Sequence, residues 1–353
     1  MWLGWVPQQV KACVAVGRKE AATKALLSSA SDKYDDVSDE GGSPSSDTSE
    51  LCKIYEVDLL DQDSFKEVFT EDCVAVVHCG ALPFKSKRDA LEGQHIINEH
   101  LRMTQGLLNL CQKTPSIQKL VLCSCLLTVT DEFLPGKTYT EDDWNETSSA
   151  SRRVHAAAKT QAERLVTSFA AREDCGFKLA TLLPGTLLGP HGFPGAMNQA
   201  YDLLLHFLEG RIQGVPNVEV FLTDVRDLAN ALLVALEKPE VQGRYIVCAE
   251  QSMSLAHMMQ TTLENFGHMP VPQHRLPDFV VRAALRKPTT EQQEWMLHNV
   301  GRQGKLDTTR AKALYVHGVS FRDPRYSVVD TVSYMRSIDA IKPVSKPRSC
   351  SIL

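Results

Sequence analysis

His155 and Lys159 stand four residues apart in the stretch VHAAAKTQAER, residues 154–164. The stretch is built from Ala, Lys, Gln, Glu and Arg, all good helix formers, with no Pro or Gly to break it. Four residues are about one turn, so both side chains share one helical face. A lysine beside a proton donor favours the donor's deprotonated form, and its ammonium can also grip the hydroxyls of a ligand. On residue types alone, the same pair could be a surface histidine beside an ordinary lysine. What decides between these readings is the set of elements around the helix.

At 353 residues, the chain can hold one large α/β domain with an appendage, or two domains. Apolar residues make up 43%, enough for a substantial core and too many for a disordered chain. A net charge of −5 gives no global electrostatic case for binding nucleic acid. The ten cysteines include no C-x-x-C pair and follow no signal peptide. That argues against a disulfide framework and for a reducing, cytoplasmic setting. No metal-ligand spacing stands out, and no apolar run approaches the roughly 18–20 residues of a membrane span.

In chain order, VKACVAV (10–16) reads as a buried strand ending at Gly17-Arg18-Lys19, and EAATKALLSSA as the helix after it. Residues 34–50 are acidic and rich in Ser, Gly and Pro, which predicts a disordered insert in a surface loop. A strand then ends at Val57-Asp58-Leu59, with Asp61 or Ser64 able to cap the next helix. AVVHCGAL is another strand, ending at Cys79-Gly80-Ala81. Residues 95–112 pattern as an amphipathic helix, and KLVLCSCLLTV as a central, near-continuously apolar strand of a parallel sheet. KLATLLPGTLLGP repeats that character after the 154–164 helix, broken at Pro184-Gly185 and Gly189-Pro190. Asp224-Val225-Arg226-Asp227 suits a helix start, where aspartates meet the positive end of the helix dipole. GRYIVC follows as a strand.

These motifs together resemble the extended short-chain dehydrogenase/reductase family, from about residue 10 to 338. Lys159, Ala162 and Glu163 match that family's Tyr-x-x-x-Lys…Ala-Glu helix, with His155 at the tyrosine position. The P-G-x-x-x-G-P spacing is the most specific local match. The branch that looks nearest holds the dihydroflavonol reductases, cinnamoyl-CoA reductases and 3β-hydroxysteroid dehydrogenases. The resemblance implies a Rossmann-like, doubly wound α/β parallel sheet, N-terminally truncated, with a smaller interleaved substrate-side region. In domain terms this gives a truncated dinucleotide-binding part over 1–190, a mixed substrate-side part over 191–338, and a flexible tail over 339–353.

The resemblance also implies roles. Asp58-Leu59 and Gly80-Ala81 match strand ends bordering the adenine and pyrophosphate side, and Pro184-Gly185 precedes a loop near the nicotinamide. Lys159 would hold the ribose. Arg18 and Lys19, just past the second strand, favour the 2′-phosphate of NADP over NAD, or are two solvated loop cations. The family's catalytic Ser or Thr falls at Cys125, or at Ser124 if the register slips by one. The implied reaction is hydride transfer between nicotinamide and the carbonyl or secondary alcohol of a small steroid- or flavonol-like substrate. Relatives that pair through their active-site helices make a homodimer an expectation.

Two departures point the other way. No Gly-x-x-Gly-x-x-Gly loop is found in residues 1–9, so the chain is expected to bind a dinucleotide poorly or not at all. The constellation also reads Cys/His/Lys where the family has Ser/Tyr/Lys, and neutral imidazole is a far weaker acid than the family's tyrosine. A catalytically impaired scaffold or ligand binder, or a truncated isoform, is therefore the alternative. Finally, Cys350-Ser351-Ile352-Leu353 fits a prenylation motif, with Lys342, Lys346 and Arg348 as a basic flank, which implies peripheral membrane association through Cys350.

Overall fold

The computed structural model describes residues 10–14, 53–58, 60–80, 90–190, 199–212, 214–314 and 321–342. The 34–50 insert, the prenylation motif and Arg18, Lys19, Leu59 and Ala81 lie outside these residues. The strands that organise the chain are β1 (Val10–Val14), β2 (Lys53–Val57), β3 (Ala75–His78), β4 (Lys119–Cys123), β5 (Lys178–Pro184), β6 (Thr186–Leu188), β7 (Leu222–Asp224) and β8 (Gly243–Val247). The helices are α1 (Ala90–Lys113), α2 (Val154–Ala170), α3 (Gln199–Leu208), α4 (Val225–Glu237), α5 (Leu255–Phe266), α6 (Glu291–Asn299) and α7 (Pro324–Ser337).

Four strands form one parallel sheet in the order β8-β5-β4-β3. The strand period of two is visible in β4. Leu120 and Leu122 pack with Leu108 of α1 and with Val166 and Phe169 of α2. Val121 and Cys123 pack on the opposite face with Leu228, Ala231 and Ala235 of α4. Helices therefore cover both faces, which is why β4 is buried at every position and apolar from Leu120 to Cys123, while the Lys119 ammonium at its start donates to the Val241 carbonyl.

Two expected members of that sheet lie elsewhere. β1 pairs with β2 antiparallel, Val10 opposite Val57 and Val14 opposite Lys53, in a separate two-stranded sheet. The parallel placement expected for the 10–16 and 53–57 strands is thus corrected. Extended backbone must satisfy its N–H and C=O groups, and these two segments do so against each other. The predicted cap is present: Asp61 accepts from the Asp63 amide at the start of a short 3-10 turn, Gln62–Phe65.

The P-G-x-x-x-G-P segment is where the chain leaves the sheet. After β5, β6 pairs in parallel with β7. A Cβ on Gly185 would lie 2.2 Å from the Phe221 carbonyl oxygen, so only glycine fits this crossing. Asp224 caps α4 as its sequence predicts, accepting from the Arg226 amide at 2.9 Å. A second core gathers Leu204 and Phe207 of α3, Met258 and Met259 of α5, Met296 of α6 and Val332 of α7.

Candidate active site

Helix α2 presents the His155–Lys159 pair inward. The two residues are 5% and 7% exposed, so the surface reading of the pair is excluded. Close packing of α1 on the start of α2 holds this arrangement. A Cβ on Gly93 of α1 would lie 2.0 Å from the Ala150 carbonyl oxygen, and Ile96 and Ile97 pack against Val154, Ala157 and Ala158. That contact brings His100 of α1 edge-on to His155, with ring centroids 6.0 Å apart. The His100 Nδ1 lies 3.1 Å from the Ile96 carbonyl, and its buried Nε2 has no hydrogen-bond partner.

Lys159 faces the carboxyl ends of β3 and β4. Its ammonium acts electrostatically on His78 and Cys79 at the end of β3, on Cys123 and Cys125 at the end of β4, and on His100 and His155. Burial, followed by this positive charge, lowers the His78 pKa to about 3 and that of His100 to about 4. The same two causes, in the same order, hold His155 well below its ordinary 6.5. All three imidazoles are therefore neutral at physiological pH.

Ser124 and Cys125, the two register alternatives, diverge. The Ser124 hydroxyl donates to Glu163, one turn past Lys159 on α2, and its amide donates to the Leu182 carbonyl at 2.9 Å. Cys125 packs against Leu127, Ala156 and Trp295, and burial pushes its thiol pKa up. Trp295 is also in the wall of two neighbouring cavities. One is apolar, lined by Leu188, Leu204, Phe207 and Met296 among others; the second reaches Leu127 and Arg153. Cys125 thus lies beside the cavity wall, and Ser124 lies within a polar network.

That network includes a residue the sequence did not single out. Arg244, on β8, sends Nε to the Glu163 carboxylate at 2.6 Å and donates to the carbonyls of Glu141 and Asp143 and to Thr128 Oγ1. Its guanidinium lies 3.8 Å from the Trp144 ring centroid. The segment YTEDDWN (139–145), which precedes α2, is thereby fastened to the sheet. Glu291 and Glu294 were missed as well. The residue before α2, Arg153, adopts a left-handed backbone (φ 55°) and supplies no side-chain cap. Instead Glu291 Oε1 accepts the His155 amide at 3.0 Å and Glu294 the Arg153 amide at 3.3 Å, so carboxylates from α6 cap the helix from outside. No local pattern signals this, because the partners are more than a hundred residues away.

The remaining predicted site residues are spread along the strand ends. Pro184 closes β5 opposite Val247, and the Gly185 amide donates to Thr223 Oγ1 at 2.8 Å. Gly80 follows β3 and is half-buried. Asp58 is exposed after β2 and accepts from the Leu60 amide at 2.8 Å, in a turn outside the four-stranded sheet. Among the described residues no cluster could hold a metal ion, and no helix is long and apolar enough to cross a membrane.

A parallel sheet wrapped on both faces, with a buried lysine facing its carboxyl edge, is the architecture of a dinucleotide-fold protein. A family model described as the NAD dependent epimerase/dehydratase family matches residues 16–249, and the chain belongs to this family, within the extended short-chain dehydrogenase/reductases. It is similar to tetraketide alpha-pyrone reductase 1 of Arabidopsis thaliana, 28% identical over 229 residues that cover 64% of this chain and 68% of that protein. It is also similar to dihydroflavonol 4-reductase of Hordeum vulgare, 25% identical over 237 residues covering 64% and 63%. Among solved structures, yeast methylglyoxal/isovaleraldehyde reductase Gre2 complexed with NADPH matches with a TM-score of 0.64 at 24% identity, over 81% of this chain and 84% of that one. The structure of gox2253 matches with a TM-score of 0.65 at 16% identity, over 93% and 98%. These structural likenesses establish the fold.

Proposed function

We propose that the chain is an NAD(P)H-dependent oxidoreductase acting on the carbonyl or secondary alcohol of a small apolar substrate, steroid- or flavonol-like in character. The observation that carries this reading is the buried Lys159 ammonium facing the carboxyl ends of β3 and β4. A dinucleotide fits the chemistry of this edge: it offers an ammonium for ribose hydroxyls and, in His100 Nε2, a buried polar atom still lacking a partner. Lys159 would hold the nicotinamide ribose, with Pro184-Gly185 on the nicotinamide side. Asp58-Leu59 and Gly80-Ala81 would border the adenine and pyrophosphate, and Arg18 and Lys19 would favour NADP. When bound, the cofactor supplies or accepts the hydride. His155 and Cys125 would face the substrate oxygen, and the mixed region from 191 to 338 would shape the substrate cavity.

One observation favours a second reading, a ligand-binding member with impaired chemistry. The His155 imidazole is held neutral, and a neutral imidazole donates a hydrogen bond but is a poor proton donor to a forming alkoxide. Calorimetric titration of the purified chain with NADPH and NADH at millimolar concentration tests both. Binding is expected; the absence of heat and of any thermal shift with either cofactor removes the oxidoreductase reading. Where turnover is found, Lys159→Ala should abolish it, and retained turnover would show that another residue holds the ribose.

A further inference from the structure

Cys79 and Cys123 have no place in the mechanism above, yet they are not independent thiols. β3 and β4 run parallel with His78 opposite Leu122, so Cys79 and Cys123 are the next facing pair, one step further along. Directly paired residues project to the same face of a sheet. Neighbouring strands lie about 4.7–4.9 Å apart, inside the window of roughly 4.4–6.8 Å between Cα atoms that a disulfide requires. The two sulfurs also lie close enough for each to shift the other's pKa. The two also differ in access: Cys79 is exposed, whereas Cys123 is 1% exposed in the core beneath α4.

We infer that Cys79 and Cys123 form a peroxide-responsive dithiol site, with Cys79 as the attacking thiol and Cys123 as the resolving one. The asymmetry of their surroundings assigns these roles. Interaction with the Cys123 sulfur lowers the Cys79 pKa, and the Lys159 ammonium acts in the same direction. Interaction with the Cys79 sulfur, together with burial, raises the Cys123 pKa. The thiolate is the reactive form, so the exposed cysteine is the one poised to meet an oxidant.

The chemistry closes with a peroxide as the only co-reactant. The Cys79 thiolate attacks one oxygen of hydrogen peroxide, the O–O bond breaks, and the departing hydroxide takes up the Cys79 proton as water. This leaves a sulfenic acid on Cys79. The Cys123 sulfur attacks that sulfur, the S–S bond forms as the S–O bond breaks, and the hydroxyl leaves with the Cys123 proton as a second water. Two thiols and one peroxide give one disulfide and two waters; sulfur gives up two electrons and the peroxide oxygen gains them. The product would tie the carboxyl end of β3 to that of β4 within the electrostatic reach of Lys159. The assignment stands on the strand pairing and does not depend on the cofactor reading.

The test is peroxide treatment of the full chain, followed by intact mass measurement and fragmentation mapping of linked peptides under non-reducing conditions. The expected result is the loss of two hydrogens per chain, a single Cys79–Cys123 linkage, and reversal by dithiothreitol. Fragmentation must locate the bond, because Cys73 and Cys125 lie close in sequence to the two partners. In Cys123→Ser, the sulfenic acid should persist on Cys79 and be captured by dimedone. In Cys73→Ser, the disulfide should form unchanged. A wild-type chain whose mass is unaltered by peroxide, a linkage to any other cysteine, or dimedone capture on Cys123 rather than Cys79 would each overturn the inference. The wild-type mapping carries the test even if a variant fails to fold.

Discussion

Removing the Arg244 guanidinium should cost far more than the loss of one surface ion pair, because its partner cannot reach water. The Glu163 side chain is 0% exposed and the Arg244 side chain 9%. Their 2.6 Å contact is backed by the two carbonyls and the hydroxyl that Arg244 also donates to. Breaking a buried pair by deleting one partner typically costs about 3–5 kcal/mol, since the other charge stays buried and uncompensated. Arg244→Met should therefore lose stability in that range and also free the Ser124 hydroxyl's partner to move. Adding Glu163→Gln removes the stranded charge, so the double variant should be less destabilised than the sum of the singles by about 2 kcal/mol or more. The assay is urea denaturation of the two single variants and the double, with midpoints compared at unchanged slope. A cost below about 1 kcal/mol for Arg244→Met, or strict additivity, would refute the view that this pair anchors the segment before α2 to the sheet.

Acid should destabilise the fold well above the carboxylate range. His78 and His100 titrate near 6.5 when unfolded but are lowered to about 3 and about 4 in the fold. The unfolded chain therefore binds more protons in that interval: stability is fully present above pH 6.5 and falls as pH drops towards those values. Each group contributes a slope approaching about 1.4 kcal/mol per pH unit; His100→Phe should flatten the dependence measured by denaturation at several pH values, and an unchanged slope would contradict the burial of a neutral His100. Glu291→Ala should cost about 1–2 kcal/mol through the lost cap, and hydrogen exchange should speed up first at the His155 amide; unaltered protection there would mean that Glu291 is dispensable. If the imidazole limits proton donation, His155→Tyr should raise ketone reduction with NADPH by roughly a hundredfold, measured as kcat, whereas no gain would place the limit elsewhere.

Much of the helix and strand inventory could be read locally. Asp224 caps α4 and Asp61 caps its short turn because a side chain meets an amide two residues away, and such distances are written in the sequence. The near-continuously apolar run that begins at Leu120 signalled a strand covered on both faces, and it is one. The strand at 10–14 shows the limit. Its composition was correct for a strand but silent about its partner, and pairing with β2 rather than with the parallel sheet is a non-local choice made by whichever edge is free.

The sequence by itself determined the relation of His155 to Lys159, since four residues of helix leave only one face for both. It also determined the helix that carries them and the family to which the chain belongs. Only the tertiary structure decided which way that face points, which of Ser124 and Cys125 meets the cavity wall, and that Arg244 meets Glu163, Glu291 meets the His155 amide and Cys79 meets Cys123. The physical reason is separation along the chain. Helical periodicity and capping act over a few residues, whereas the partners of Glu163, His155 and Cys79 come from other elements, 81, 136 and 44 positions away. Such contacts exist only once the sheet and its covering helices have closed around them.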